Sequence, residues 1–193
     1  MARPKAFDEE VALAAAMDLF WARGYEATSI ADLEAHLGLG RQSLYNAFGD
    51  KHALYLKALE RYAEQGACGP EAHLTGPDAG LAGIRAYFDE AIRIMAERKS
   101  PRACMLVGAV VERADQDVAV RRRCDRSRRG TQAALRRSLE VARQRGEVRA
   151  DLNLEAASLL LLSQAYGLAV LGRAGARPDE LRRAVETALR SLA

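Results

Sequence analysis

The chain has 193 residues, 49% of them apolar and 28% charged, with a net charge of +3; this is the balance of a globular protein able to bury a core in one large domain or two small ones. No apolar run is expected to reach the ~20 residues of a membrane span, and "MARPKAFDEE" holds no apolar leader segment, so the expectation is a cytoplasmic chain with no membrane partner. Cys68, Cys104 and Cys124 are odd in number and widely spaced, without a CxxC pair, which suits a reducing compartment and argues against a disulfide framework or zinc knuckle.

Ala, Leu, Arg and Glu dominate and strand signals are nearly absent, so the expected fold is all-α with about nine helices. Asp8 can cap a helix over 9–23, with Phe7 as a staple residue before it and Gly24 just past its end. Ser29-Ile30-Ala31-Asp32 has the form of a capping box and opens a second helix that closes at Gly38. A third helix spans Arg41–Phe48, and Gly49-Asp50 ends it and caps a fourth over 51–65. The stretch "GACGPEAHLTGPDAG", residues 66–80, holds four Gly and two Pro and reads as the boundary. The organisation expected is therefore a three-helix head over 1–50, a connecting helix over 51–65, a linker over 66–80 and a helical body over 81–193. Within and just before that body, helical segments fall near 78–98, 101–113, 115–146, 154–173 and 178–192. Asp78, Asp115 and Asp151 lie at their starts, and Pro101 and Pro178 in their first turns.

Two helices of about eight residues joined by "GLG" are too short to stand alone. They make sense as a helix-turn-helix, in which the first braces the second for a DNA major groove. Leu33, Leu37, Leu39, Leu44 and Phe48 supply the apolar anchors, and Gly38 permits the change of direction. At 100° per residue, Leu44 and Phe48 define the inner side of the second helix. Gln42 and Asn46 then point away, Ser43 and Tyr45 lie on the flanks, and Arg41 swings out from the first turn. Gln and Asn can pair bidentately with adenine, and Arg with guanine. Lys51, Thr28 or Ser29, and the Tyr45 phenol are placed for phosphates, and the "ARPK" arm (Arg3, Lys5) for the backbone or minor groove. Tyr45 alone would more often be a half-buried packing residue, and Lys51 alone a solvated surface charge. Residues 1–66 carry a net charge of −3 and residues 67–193 a net of +6, so bulk charge does not locate a nucleic-acid face.

Residues 7–60, through "LFWARGYEATSI", "GLGRQSLYNAF" and "DKHALY", resemble the DNA-binding domain of the TetR family of bacterial transcriptional regulators. The resemblance implies an all-α homodimer with a variable ligand-binding C-terminal domain, bound to a palindromic double-stranded operator and usually a repressor relieved by a small-molecule effector. By position it carries DNA contacts to Thr28 or Ser29, Arg41, Gln42, Ser43, Tyr45, Asn46 and Lys51. Glu34 departs from the pattern, standing where the family commonly has a small residue.

In the body, "CMLVGAVVE" and the helical layout carry a weaker likeness. A ligand pocket is expected among the fifth to eighth helices, with Tyr87, Phe88, Ile92, Met95, Met105 and Tyr166 as lining candidates, each of which is also an ordinary core residue. The family's dimer is a four-helix bundle of the last two helices of each chain. In "EAASLLLLSQAYGLAVLGRAG" apolar residues surround the helix, so Leu159, Leu162 and Tyr166, with Leu181, Val185 and Leu189 after them, are the candidate interface; the alternative is packing within one chain. Cys104 is a sensor thiol or an inert buried one. The run "RRRCDRSRR" (Arg121–Arg129) reads as a solvated face with Asp117–Arg121 and Asp125–Arg129 pairs. His36, His52 and His73 lack ligand spacing, and no metal site, cofactor motif or catalytic set is expected. An activator with the same head, or a helical binding protein or enzyme without a DNA role, are the rival functions.

Overall fold

In the computed structural model of the chain, the described residues are 7–68, 70–97 and 104–192; Arg3, Lys5 and Pro101 lie outside them. Those residues form nine α-helices: α1 (Glu9–Arg23), α2 (Ile30–Leu37), α3 (Arg41–Phe48), α4 (Lys51–Cys68), α5 (Leu81–Glu97), α6 (Met105–Arg113), α7 (Val118–Gln144), α8 (Leu154–Arg173) and α9 (Pro178–Arg190). A 3-10 turn at Pro70–Leu74 lies between α4 and α5, and no strand occurs among the described residues.

The head helices start and stop where local chemistry dictates. The Asp8 carboxylate accepts from Glu10 N at 2.8 Å and Val11 N at 3.3 Å, satisfying amides that the first turn leaves open. Ser29 and Asp32 form the capping box reciprocally: Asp32 N donates to Ser29 Oγ at 3.1 Å, and Ser29 N to Asp32 Oδ2 at 2.8 Å. Gly38 takes φ 65° at the end of α2, a left-handed conformation that a residue with a Cβ adopts poorly. Asp50 caps α4 by accepting from Ala53 N at 2.7 Å. Phe20, Trp21, Leu33, Leu44, Phe48, Leu54, Tyr55 and Leu59 close the head's core, and Met105, Leu106, Ala109 and Cys124 from the body join the same cluster.

The body is built on α7 and α8, packed along each other, with α5 and α9 against them. Leu135, Leu139, Leu161 and Ile84 are fully buried at its centre. By length and composition α8 is apolar enough to cross a bilayer, contrary to the sequence expectation. Its Leu154, Leu161, Leu162 and Leu168 are buried in the body's core. The observed caps also differ from the expected ones. Asp117 caps α7 by accepting from Ala119 N at 3.0 Å and Val120 N at 3.1 Å; Asn153 caps α8.

The glycine-rich stretch over 66–80 is not an open connection. Its first residues prolong α4 to Cys68, and Leu74, Ala79 and Gly80 are buried. The end of α7 clamps the entry into α5: Arg145 Nη1 donates to Ala79 O at 2.7 Å, Leu81 N donates to Glu147 Oε2 at 2.8 Å, and Ser138 Oγ accepts from Gly80 N at 2.9 Å while donating to Gly80 O at 3.1 Å. Ser138 is fully buried, so Ser138→Ala leaves Gly80 N without its partner, while Gly80 O keeps the bond from Ile84 N at 3.0 Å. We expect a loss of about 1–3 kcal/mol, read by urea unfolding; a loss below about 0.5 kcal/mol would refute the clamp.

Candidate functional site

Helix α3 is eight residues long and turns Leu44 and Phe48 inward. Arg41, Gln42, Ser43, Tyr45 and Asn46 are all exposed, as the helical phase requires. Gln42 Nε2 donates to Asn46 Oδ1 at 2.9 Å, so two amide side chains able to read base edges occupy one another in the free protein. The departure at Glu34 has a structural outcome: its carboxylate lies 3.9 Å from Arg41 Nε, a loose pair across the turn from α2 to α3.

The flanks resolve one open choice. Thr28 is fully buried and its hydroxyl donates to Gly24 O at 2.6 Å; it cannot reach a phosphate from there. Its neighbour Ser29 is the exposed one. Lys51 at the start of α4 lies over the Tyr25 ring, 4.1 Å from its centroid, which limits the side chain's freedom before anything binds.

Sequence reasoning missed what lies behind this head. Glu112, near the end of α6, accepts from Tyr25 N at 2.9 Å and Glu26 N at 2.8 Å. A Cβ at Gly24 (φ 88°) would come within 2.9 Å of that carboxylate, so glycine is needed for space and for backbone alike. Arg113 pairs with Glu26 in a short contact and lies over the Tyr25 ring, 4.7 Å from its centroid. His52 Nε2 meets Asp117 Oδ2 at 2.7 Å, with Arg113 Nη2 3.6 Å from the same oxygen. Burial alone would raise the Asp117 carboxyl, but the amides of Val120 and Ala119 and the His52 contact hold it below the usual range. The expected Asp117–Arg121 pair does not form for this reason. Asp125 does pair with Arg129, at 2.8 Å, and with Arg128, at 2.7 Å. Glu112 and Tyr25 are 87 residues apart, and no local pattern signals such a contact.

A cavity of about 240 Å³ lies where α1 and α4 of the head meet α5, α6, α7 and α8. Four of the six expected lining residues are there: Tyr87, Phe88, Met95 and Tyr166. Ile92 and Met105 are not, being buried in the body core and in the head–body core respectively. The head's Trp21 and Tyr62 line it as well, with Glu71, Cys104 and Thr131. Burial, reinforced by the Glu71 charge, raises the Tyr87 phenol; burial also pushes Tyr166 up to about 12, with Arg128 as the opposing charge. Burial likewise pushes the Cys124 thiol up to about 11, which leaves it inert near neutral pH.

The expected dimer residues separate sharply. Leu162, Leu181, Val185 and Leu189 are buried inside the protomer, because α8 and α9 pack on each other and on α5; Tyr166 turns toward the cavity. Leu159 stays outside, and with it Leu160, Val170 and Leu171, each about half exposed at 48–54%. Ser163 and Gly167 fall between them on the same face.

Comparison with known proteins agrees with this geometry. Residues 12–58 match the family described as "Bacterial regulatory proteins, tetR family", and residues 80–190 match "Tetracyclin repressor-like, C-terminal domain". The chain is 30% identical over 190 residues to the uncharacterized HTH-type transcriptional regulator YezE of Bacillus subtilis (strain 168), covering 98% of each. It is 28% identical to the HTH-type transcriptional repressor ComR of Escherichia coli (strain K12), covering 97% of this chain and 90% of ComR. Among solved structures, a cysteine mutant of the regulator CifR complexed with 26-bp double-strand operator DNA superposes with a TM-score of 0.88 at 30% identity, covering 100% of both chains.

Replacing Glu112 with Ala removes the only carboxylate on the Tyr25 and Glu26 amides among the described residues. The expected loss is about 1–3 kcal/mol for charge-assisted bonds, with faster amide exchange confined to the turn after α1. Hydrogen exchange unchanged at Tyr25 and Glu26 would show that Glu112 does not hold the head.

Proposed function

The chain belongs to the TetR family of bacterial transcriptional regulators, and from that premise we propose that it is a homodimeric, cytoplasmic repressor released from a palindromic operator by a small molecule. The observation that carries this reading is α3. Eight residues, too few to be stable alone, are held by two apolar anchors so that Arg41, Gln42, Ser43, Tyr45 and Asn46 are all exposed. That is the shape and chemistry of a major-groove reading helix. Ser29 and Lys51, at the starts of α2 and α4, flank it as phosphate contacts, the amide-rich helix ends and the ammonium acting together on an anion. ComR, similar over nearly the whole chain, is a repressor by name, which favours repression over activation.

A two-fold operator needs two heads about 34–36 Å apart, hence a dimer. The apolar face of Leu159, Leu160, Val170 and Leu171 supports one: four large apolar side chains about half exposed, separated by Ser163 and Gly167, which allow a second helix to approach closely. The effector reading is supported by the cavity, because Trp21 on α1 and Tyr62 on α4 belong to its wall. A molecule seated there touches the head helices directly. Occupancy then favours whichever head arrangement gives the ligand more room, and operator and ligand weaken each other by the same factor.

Tyr45→Ala and Lys51→Ala should each lower operator affinity at least about tenfold in a gel-shift assay, through lost phosphate and base-edge contacts, while circular dichroism and oligomeric state stay unchanged. Wild-type affinity in both variants would reject the reading face. Separately, Leu160→Arg places a charge on the exposed α8 face. Analytical ultracentrifugation should then find monomers and the gel shift should lose the two-fold complex; a variant that still sediments as a dimer removes α8 from the interface.

A further inference from the structure

The outer face of α7 belongs to none of the sites above. At 100° per residue, Arg122, Arg126, Arg129, Arg136, Arg137 and Arg143 fall within about 60° of one line along the helix, and all six are exposed. The stripe therefore runs well past the cluster at Arg121–Arg129, for on the order of 30 Å along a single 27-residue helix. Two acids share the arc, Asp125 and Glu140, which pair with Arg129 at 2.8 Å and Arg136 at 3.0 Å. Arg126 reaches Glu60 of α4 only at 3.8 Å and keeps 78% of its side chain exposed. Arg122, Arg137 and Arg143 have no ion pair among the described residues. Arg122, Arg126 and Arg129 also follow one another at i+4 and i+3, where like charges repel. A polyanion laid along the face relieves that repulsion.

The residues between the arginines decide which polyanion fits. A helix that lies on an anionic membrane presents Trp, Phe or Leu to the acyl boundary, and single-stranded nucleic acid is held by aromatic platforms for its bases. Between Arg122 and Arg143 the one uncharged residue in the arc is Ala133, so the face offers neither. Duplex DNA asks for neither, because phosphate contacts alone supply sequence-independent binding. Every cation of the stripe is an arginine, whose guanidinium can take two phosphate oxygens at once. Its length approaches the ~34 Å of one turn of duplex, so its two ends can meet phosphates on either side of a groove. The exposed pairs with Asp125 and Glu140 are weak enough to exchange for phosphates. We propose that the outer face of α7 is a second nucleic-acid surface, which holds the phosphate backbone of duplex DNA without reading its sequence. It lies on the body, where residues 67–193 hold a net charge of +6, and goes beyond the reading of bases by α3. Such a surface retains the protein on DNA between operators and lets a chain whose head is engaged hold a second segment of duplex.

The full-length protein carrying Tyr45→Ala and Lys51→Ala isolates α7 from the reading head. Its binding to a labelled random-sequence duplex of about three turns, some 30 bp, is followed by fluorescence anisotropy across a salt series from about 50 to 200 mM. Adding Arg122→Gln, Arg137→Gln and Arg143→Gln should lower the affinity at least about tenfold. The slope of log affinity on log salt should fall by about 2 to 3, since each phosphate contact contributes ~0.9. The corresponding triple change to Lys keeps the charge and should restore most of the slope, which separates lost charge from a damaged fold. The proposal is overturned if the head-disabled chain does not bind the duplex, or if the Gln triple leaves affinity and slope unchanged. It is overturned equally if phosphatidylcholine vesicles with about one-third phosphatidylserine bind as tightly as the duplex, or if polyglutamate displaces the duplex as well as unlabelled duplex does. Those two outcomes assign the face to a membrane or to an acidic protein. Both reading-face substitutions are present throughout, so the result is independent of what α3 reads, and either reading can fail while the other stands.

Discussion

The structure turns on a carboxylate seated in a pair of backbone amides. Glu112 projects from the body's α6 and takes the N–H groups of Tyr25 and Glu26, the two residues after Gly24 in the turn between α1 and α2. Those amides belong to the head, and the turn that carries them leads through Thr28 and Ser29 into the helix that braces α3. Arg113, one residue along, meets Glu26 and the Tyr25 ring; Asp117, at the start of α7, meets His52 on α4. Glu112, Arg113 and Asp117 therefore tie the body to the head at neighbouring points. Such a network resists change until a competing interaction alters its geometry, and then several contacts shift together.

The other end of α6 supplies that competition. Cys104, just before α6, and Leu106 within it line the cavity, while Glu112 and Arg113 lie at its far end. A nine-residue helix is about 13 Å long, short and stiff enough that a displacement at one end appears at the other. The cavity wall also includes Trp21 of α1 and Tyr62 of α4, so an occupant there would have a second route to the head that bypasses α6 altogether. Both routes converge on Tyr25 and its neighbours, because Tyr55 of α4 packs on Phe20 and Tyr25, with ring centroids 5.0 and 4.8 Å apart. Coupling between two sites needs a physical carrier, an element with two arrangements that both partners bias.

How much of this was legible in the sequence depends on range. The head was, because its signals are local. Asp8, the Ser29–Asp32 pair and Asp50 bond to amides two or three residues away, and Leu44 and Phe48 set the phase that turns Gln42 and Asn46 outward. Where two adjacent residues competed for one role, locality did not decide: Thr28 and Ser29 are both hydroxyls, and only the tertiary turn around Gly24 buries one and exposes the other. In α8 the pattern itself was uninformative. With leucine at four successive positions, 159 to 162, periodicity cannot tell the face that meets α7 from the face that meets solvent, so Leu162 passed for an interface residue although it belongs to the core. The cavity was half legible for the same reason. Tyr87 and Phe88 announce themselves as large body side chains, but Trp21 and Glu71 come from elements that reach the site only once the chain has folded.

The reading face itself explains why so small a coupling suffices. Gln42 and Asn46 already hydrogen-bond to each other and Arg41 lies near Glu34, so contact with bases exchanges protein partners for nucleic-acid ones and yields a modest net gain at each position. The first 66 residues carry a net negative charge, which keeps the general phosphate attraction of the head weak. Affinity for an operator is then a sum of small terms that accrue only when both heads of a dimer are in register at once. Lose the register of one head and its terms vanish together. A bound ligand need not oppose the whole binding energy; a differential of ~1–3 kcal/mol between two head arrangements is enough to change operator affinity by about 5- to 150-fold.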